Sequence, residues 1–347
     1  MKHEYSTYMQ RCIFLASKAL GKTAPNPLVG CVIVHENKII GEGLHEYYGG
    51  PHAEVNAINS VKNKNLLKKA VLYVNLEPCS HFGKTPPCTN LIVNMQIPKV
   101  VIGHSDPFEK VCGKGIEKLK NTHIDLVTGI LTNECRELNK RFLTFHEKKR
   151  PYIILKWAQT FDGFISPLNK TKCQPYWISN EFQRIYAHKL RTEEQAIMIG
   201  TNTAIDDNPH LTSRLWEGKN PIRIVLDNKL RLPNHLHIFD DSTPTIIFTS
   251  KNNKKTTSLN TEYIKINFEN NVIPEIFNCL YKKRIQSVLV EGGRTLLQSF
   301  IDAGLWDEAY IFTGIKEFKQ GIKAPVIEGH VSKELIYGTE KLSVIKK

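Results

Sequence analysis

Pro51-His52-Ala53-Glu54-Val55 places a histidine and a glutamate two positions apart, and Pro78-Cys79 and Pro87-Cys88 follow later in the chain. One imidazole and two thiolates are a common ligand set for zinc, and three protein ligands leave a tetrahedral ion one free position for water. A nearby carboxylate can take a proton from that water and return it to a leaving amine. The pattern predicts a catalytic zinc site with Glu54 as the proton carrier and His52, Cys79 and Cys88 as ligands.

The alternative is a structural zinc site, which a fourth cysteine or histidine normally closes. His45 and His81 are the candidates for that ligand. A closed site would leave Glu54 without a role. Zinc deaminases commonly combine H-x-E with P-C-x-x-C, whereas eight residues separate Cys79 from Cys88 in this chain.

Apolar runs and helical spacing alternate through the first half of the chain. Strands are predicted at residues 29–34, 39–43, 70–76 and 99–103, and helices at residues 5–20, 53–61, 89–95, 116–119 and 134–145. This alternation predicts a three-layer α/β/α domain with a mostly parallel sheet. Asn26 lies between two prolines in a segment that we expect to be extended, either as a plain turn residue or as an amide that reads a heterocycle.

A polar joint at residues 147–151 separates a second α/β pattern from the first. We therefore expect one domain at residues 1–147 and another at residues 150–347. In the second domain, residues 290–295 (VEGGRT) lie between a predicted strand and a predicted helix. Such a segment can let a phosphate approach a helix N-terminus, or it can be a tight turn.

Composition narrows the class of protein. With 347 residues, 41% apolar and 23% charged, the chain resembles a soluble globular protein of two domains. No apolar run reaches the ~20 residues of a membrane helix, and the polar start lacks the core of a signal peptide. We expect a cytoplasmic protein without a membrane partner. The net charge of +13, without a run of five like charges, favours small anionic ligands over nucleic acid.

Residues 51–55 (PHAEV) and 77–88 (EPCSHFGKTPPC) resemble the deaminase domain of the bifunctional riboflavin-biosynthesis deaminase/reductase family. A long loop between the two cysteines is the norm in that family. The resemblance implies a cytidine-deaminase-like fold and a phosphorylated substrate, a diaminopyrimidinone that carries a phosphoribosylamino group. It implies that Glu54 shuttles protons beside a zinc ion, and that substrate contacts come from Asn26, His45 and Lys84.

Residues 156–163 (KWAQTFDG), 177–179 (WIS), 203–214 (TAIDDNPHLTSR) and 290–293 (VEGG) resemble the reductase domain of the same family, in the same order. The resemblance covers roughly residues 20–90 and 150–300 and implies a dihydrofolate-reductase-like fold that uses NADPH. The implied cofactor-binding residues are Ala158, Trp177, Thr203, Asp207, Asn228, Gly293, Arg294 and Thr295. The implied substrate-binding residues are Arg191, Leu211, Arg214 and Glu291.

The family pattern has one departure in this half, because Pro175 stands where a small hydroxyl residue is common. Taken without the family, Trp177 is more typical of a core residue than of a cofactor wall. The main hypothesis is a homo-oligomeric enzyme that deaminates the pyrimidine and then reduces its ribosyl group to ribityl. The alternatives are a zinc deaminase of tRNA or nucleosides with an accessory C-terminal domain, and a structural zinc module.

Overall fold

The structure is a computed structural model that describes residues 2–82, 86–107, 113–168, 176–252, 258–269 and 271–347. Its contacts divide the chain into two compact units, Met1–Lys149 and Arg150–Lys347. Each unit has its own sheet and its own buried core. In the described residues, no helix is both long enough and apolar enough to span a membrane.

The first unit is a five-stranded sheet with helices on both faces. The described helices are α1 (Lys2–Ser17), α2 (Ala53–Ser60), α3 (Cys88–Asn94), α4 (Lys114–Lys120), α5 (Thr132–Leu138) and α6 (Lys140–Lys148). The strands are β1 (Gly30–His35), β2 (Lys38–Leu44), β3 (Val71–Leu76), β4 (Lys99–His104) and β5 (Asp125–Thr128).

The sheet order is β2-β1-β3-β4-β5, and α2, α3 and α4 pack on one face while α1 and α5 pack on the other. The three layers are as expected from the alternation of strands and helices. The prediction of a mostly parallel sheet is confirmed for strand direction, because β2, β3, β4 and β5 all run the same way. Only β1 is reversed, and it is antiparallel to both of its neighbours, β2 and β3. β5 was missed because its four residues are only partly buried or exposed.

Helix α2 lies unusually close to strand β2. A Cβ atom at Gly43 would meet the backbone nitrogen of Ala57 at 2.3 Å, and one at Gly41 would meet the carbonyl oxygen of Ala57 at 2.6 Å. Real Cβ atoms do not approach this closely, so only glycine permits the contact. The two glycines therefore fix the helix that begins next to His52.

The single helix predicted at residues 134–145 is two helices that meet at Asn139, since α5 ends at Leu138 and α6 begins at Lys140. The buried side chain of Asn139 accepts from the Leu28 N–H (2.8 Å) and donates to the Leu28 carbonyl (2.9 Å). The expected extended segment before β1 was also wrong, since the Asn26 N–H donates to the Thr23 carbonyl in a turn.

The second unit is built on a nine-stranded sheet in the order β11-β10-β9-β8-β12-β6-β13-β16-β15. The strands of the whole unit are β6 (Tyr152–Gln159), β7 (Phe164–Ser166), β8 (Ala196–Gly200), β9 (Ile222–Leu226), β10 (Thr245–Thr249), β11 (Thr261–Lys265), β12 (Ser287–Gly292), β13 (Glu308–Thr313), β14 (Ile322–Lys323), β15 (His330–Tyr337) and β16 (Glu340–Lys346). Its described α-helices are α7 (Glu181–Glu193), α8 (Thr201–Asp207), α9 (Val272–Lys282) and α10 (Arg294–Asp302).

The neighbouring strands from β11 to β13 in this sheet are parallel, whereas β16 and β15 are antiparallel additions at the other edge. Two buried clusters lie on opposite faces of the sheet, one with α9 and α10 and the other with α7 and α8. The segment after Gly321, which no sequence motif matched, forms β14, β15 and β16. The long parallel strands were predictable because they are continuous apolar runs.

Replacement of Asn139 by leucine removes the acceptor of the buried Leu28 N–H. We expect N139L to lower the free energy of unfolding of the first unit by about 1–3 kcal/mol, the usual cost of an unsatisfied buried polar group. Denaturant unfolding measures the loss, and hydrogen exchange should accelerate in residues 26–35. The control is N59L, at an exposed asparagine; equal stability of the two variants would contradict the assignment.

Candidate active sites

Three predicted metal ligands meet at one place in the first unit. His52 is the residue before α2, Cys79 follows the end of β3, and Cys88 is the first residue of α3. One ligand atom from each residue lies within 4.8 Å of the other two. His52 Nδ1 is 3.2 Å from Cys88 Sγ and 3.5 Å from Cys79 Sγ.

These distances fit a zinc ion. Zinc bonds of about 2.3 Å to sulfur and about 2.0 Å to nitrogen in a tetrahedron place the two donor types roughly 3.5 Å apart. The observed nitrogen–sulfur distances lie at or slightly below that value. The donor set is therefore suited to zinc by both chemistry and spacing.

The cluster contains three ligands and no fourth among the described residues. His45 cannot close it, because its Nδ1 lies 2.9 Å from the Pro51 carbonyl and its Nε2 lies 3.0 Å from Asn26 Nδ2. An open coordination position distinguishes catalytic from structural zinc sites. The geometry therefore favours the catalytic arrangement over the structural one.

The charges at the two cysteines are unequal. The Cys88 thiol next to Cys79, together with His52, lowers the pKa of Cys79 to about 4 despite its burial. The pKa of Cys88 is raised instead, by the neighbouring Cys79 and by burial. The site thus stabilises a thiolate, which is the form of cysteine that binds metal.

Glu54 lies in the first turn of α2 and is only 3% exposed. Burial raises the pKa of its carboxyl group to about 7, and the charge of Cys79 adds to this effect. A carboxyl group with a pKa near neutrality can both accept and donate a proton. Glu54 and His52 are two positions apart, yet both project from the start of the helix and can face the same ligand.

Asn26 and His45 form a hydrogen-bonded pair next to this cluster. A peptide carbonyl can only accept, so His45 Nδ1 carries the proton that goes to Pro51, and Nε2 accepts from the Asn26 amide. Burial lowers the pKa of His45, which is consistent with a neutral ring. This chain of bonds fixes the orientation of the Asn26 amide. Its Nδ2 faces His45, and its Oδ1 takes no part in the bond to His45. Lys84, the third predicted substrate contact, lies outside the described residues.

Three supporting residues escaped the sequence analysis. Asn75 donates to the Leu28 carbonyl and accepts from Gly30, so that together with Asn139 it holds the segment after Asn26. A polar residue in the middle of the buried strand β3 was the available signal for Asn75. For Asn139 no local signal exists, since its partner is 111 positions away.

Glu77 is the third of these residues. Its buried carboxylate accepts four backbone N–H groups, from Asp106, Gly113, Gly115 and Ile116. The start of α4 is thereby tied to the segment that carries Cys79. The position of Glu77 immediately before Pro78-Cys79 was a signal for a role near the metal.

In the second unit, the predicted substrate residues gather around the end of β12. Arg191 Nε and Nη2 donate to the two Glu291 oxygens at 2.8 and 2.7 Å, and Arg191 Nη1 donates to the Thr212 carbonyl at 2.9 Å. Arg214 Nη1 donates to Thr212 Oγ1 at 3.1 Å. Leu211 is buried next to them and adopts a φ of 56°.

Lys156, which the sequence analysis did not select, belongs to the same cluster. Its Nζ lies 3.7 Å from Glu291 Oε2. Burial alone would raise the pKa of Glu291, but the charges of Arg191 and Lys156 outweigh it and lower that pKa to about 2. Glu291 is therefore a carboxylate at neutral pH, and it is paired with two cations, Arg191 and Lys156.

The predicted cofactor residues occupy the carboxyl ends of neighbouring strands. A Cβ atom at Gly293 would come within 3.1 Å of Thr203 Oγ1, which brings the start of α10 and helix α8 together. Gly292 has a φ of 137°, a conformation that favours glycine. Arg294 and Thr295 form the first turn of α10, Ala158 lies near the end of β6, Asp207 ends α8 and Asn228 follows β9.

Trp177 is half exposed, and the Arg184 guanidinium lies 5.1 Å from its ring centroid. It is thus not the core residue that its type alone would indicate. Pro175 lies outside the described residues.

Comparison with known proteins matches the two halves of the chain to two different families. Residues 2–104 match the family model of the cytidine and deoxycytidylate deaminase zinc-binding region, and residues 151–314 match that of the RibD C-terminal domain. A riboflavin biosynthesis protein RibD from Aquifex aeolicus is 41% identical over 318 residues, which cover 91% of this chain and 88% of the relative. The RibD of Escherichia coli is 34% identical over 331 residues, covering 91% and 88%.

Solved structures give the same result. A diaminohydroxyphosphoribosylaminopyrimidine deaminase/5-amino-6-(5-phosphoribosylamino)uracil reductase from Thermotoga maritima superposes with a TM-score of 0.91 at 37% identity, covering 99% of both chains. A RibD from Acinetobacter baumannii has a TM-score of 0.91 at 29% identity, covering 100% of this chain and 99% of its own. The predicted fold class is confirmed. The chain belongs to the RibD family of riboflavin biosynthesis proteins, bifunctional enzymes with a deaminase domain and a reductase domain.

Proposed function

We propose that the first unit hydrolytically deaminates 2,5-diamino-6-(5-phosphoribosylamino)pyrimidin-4(3H)-one, and that the second unit reduces the ribosyl group of 5-amino-6-(5-phosphoribosylamino)uracil with NADPH. The observation that carries the proposal is the open His52, Cys79 and Cys88 cluster with a buried Glu54, in a chain that also holds a reductase domain. The Thermotoga maritima relative is described by both activities. Incubation with the pyrimidine, with and without NADPH, tests the two steps separately by ammonia release and by loss of NADPH absorbance.

In the deaminase unit, His52, Cys79 and Cys88 would hold zinc. Zinc in such a site acts as a Lewis acid that makes a water molecule nucleophilic at neutral pH. Glu54 accepts the proton of the attacking water and passes it to the leaving amino group, because its carboxyl pKa lies near 7. Asn26, oriented by His45, presents its Oδ1 as an acceptor for an N–H of the pyrimidine. We assign Lys84 to the substrate phosphate.

In the reductase unit, NADPH would bind along Ala158, Trp177, Thr203, Asp207, Asn228, Gly293, Arg294 and Thr295. A reduced nicotinamide supplies a hydride for the ribosyl carbon. Arg191 commits three of its five donors to Glu291 and Thr212, so its role is chiefly to hold Glu291 in position. Arg214 has most of its donors left and is the better phosphate ligand. Leu211 and Glu291 complete the substrate side.

The substrates of this proposal are small molecules, and no nucleic acid takes part in either reaction. A deaminase with an accessory C-terminal domain is not supported, since residues 151–314 match a reductase domain. We also propose that the chain forms a homo-oligomer. The edge strand β15 supports this, because it presents exposed Val331 and Ile336 beside unpaired backbone groups. Sedimentation analysis of the purified protein measures the oligomeric state.

Glu54→Gln replaces the proton carrier by an amide of the same size. We expect ammonia release from the pyrimidine to fall by at least about 100-fold, the usual contribution of general acid–base catalysis. Zinc content, and NADPH oxidation with the phosphorylated uracil supplied directly, should stay unchanged. Ammonia assay and metal analysis of the same preparation measure both effects. E46Q, at an exposed glutamate, is the matched control. Full deaminase activity in E54Q would exclude Glu54 as the proton carrier.

Arg214→Gln removes the guanidinium with free donors. We expect KM for the phosphorylated uracil to rise about 10–100-fold, which corresponds to one or two lost charge-assisted hydrogen bonds, with a much smaller change in kcat. The same variant should differ little from the wild type on a dephosphorylated substrate. Steady-state kinetics of NADPH oxidation measure this, with R284Q at an exposed arginine as control. An equal loss on both substrates would contradict the phosphate assignment.

A further inference from the structure

His188 belongs to the cluster around Glu291 although no argument so far has used it. It lies on α7 three residues before Arg191, so the two side chains project from the same face of the helix. Electrostatic interactions couple the His188 ring to Arg191, Glu291, Arg214 and Lys156. His188 thus lies within electrostatic range of Arg191, Glu291, Arg214 and Lys156.

The His188 ring lacks a hydrogen-bond partner in the described structure. Only 6% of the residue is exposed, and its Nδ1 is fully buried without a donor or acceptor in reach. Buried polar atoms in folded proteins nearly always have a partner, so such an exception calls for a physical explanation. A group that arrives with a ligand is one explanation, and the location of His188 in a ligand site favours it.

The charge of the surroundings defines what that group can be. Lys156, Arg191 and Arg214 outnumber the single carboxylate of Glu291, so the cluster attracts an anion. Burial, with a further contribution from Arg191, lowers the pKa of His188 to about 4. The ring is therefore neutral at pH 7 and offers one N–H donor and one acceptor nitrogen.

We propose that His188 is a further substrate-binding residue of the reductase unit, which donates a hydrogen bond to an oxygen of the sugar phosphate next to Arg214. The inference rests on the proposed reductase function. It adds a neutral, directional contact to a site whose other polar groups are charged. The accepting oxygen belongs either to the phosphate or to a ribosyl hydroxyl, and a dephosphorylated substrate distinguishes the two.

The test compares H188L, which removes both ring nitrogens, with H188N, which keeps an amide near the place of Nδ1. For the phosphorylated uracil we expect H188L to raise KM about tenfold, as for one lost hydrogen bond, and H188N to recover most of that loss. KM for NADPH and the rate of ammonia release should not change. The control is H330L, at an exposed histidine of β15.

If the loss in H188L disappears on the dephosphorylated substrate, the accepting oxygen is on the phosphate; if it persists, the oxygen is a hydroxyl. A KM of H188L within twofold of the wild type would overturn the proposal. So would equal losses in H188L and H188N together with a higher KM for NADPH, which indicate a structural role. If H188L has no cooperative unfolding transition, H188A replaces it under the same criteria. A wild type without reductase activity would instead refute the proposed function.

Discussion

The cost of burying a carboxylate governs both functional sites. A charged group in a protein interior must find a partner or become neutral. Glu54 has no cation bonded to it, and burial raises its pKa to about 7. Glu291 is also buried, but two bonds from Arg191 and the charge of Lys156 lower its pKa to about 2. The same residue type therefore has a pKa suited to the proton carrier that we propose in one unit, and is a permanent anion in the other.

The site of the first unit depends on polar side chains that immobilise the backbone. Asn75 and Asn139 saturate the peptide groups around Leu28, and Glu77 gathers four N–H groups beside the Cys79 segment. These bonds are inside the first unit, where an unpaired peptide group would be costly. Because the bonded segments carry Asn26 and Cys79, satisfying the backbone also sets the positions of the residues that we propose as a substrate contact and a metal ligand. Stability and site geometry are consequences of the same bonds.

The sequence was most informative where the predicted functional residues lie close together in the chain. His52 and Glu54 share one helix start, and Pro78-Cys79 follows a continuous apolar strand, so local rules sufficed to bring them together. The parallel strands of the second unit were readable because they are continuous apolar runs. The bonds between Asn139 and Leu28 were not, because the two residues are 111 positions apart. The pairing of Arg191 with Glu291, 100 positions apart, was likewise invisible, and both had been predicted only as separate substrate contacts.

That pairing changes how the basic residues of the reductase unit should be understood. A guanidinium that already donates three bonds to protein groups is a rigid support with little capacity for a ligand. Within the described residues, Arg214 donates one side-chain bond, to Thr212, and so keeps donors of its planar fork for the phosphate that we propose as its ligand. The two arginines have the same charge, but Arg191 neutralises Glu291 and fixes it. The positive charge that remains for an anionic ligand is on Arg214 and Lys156.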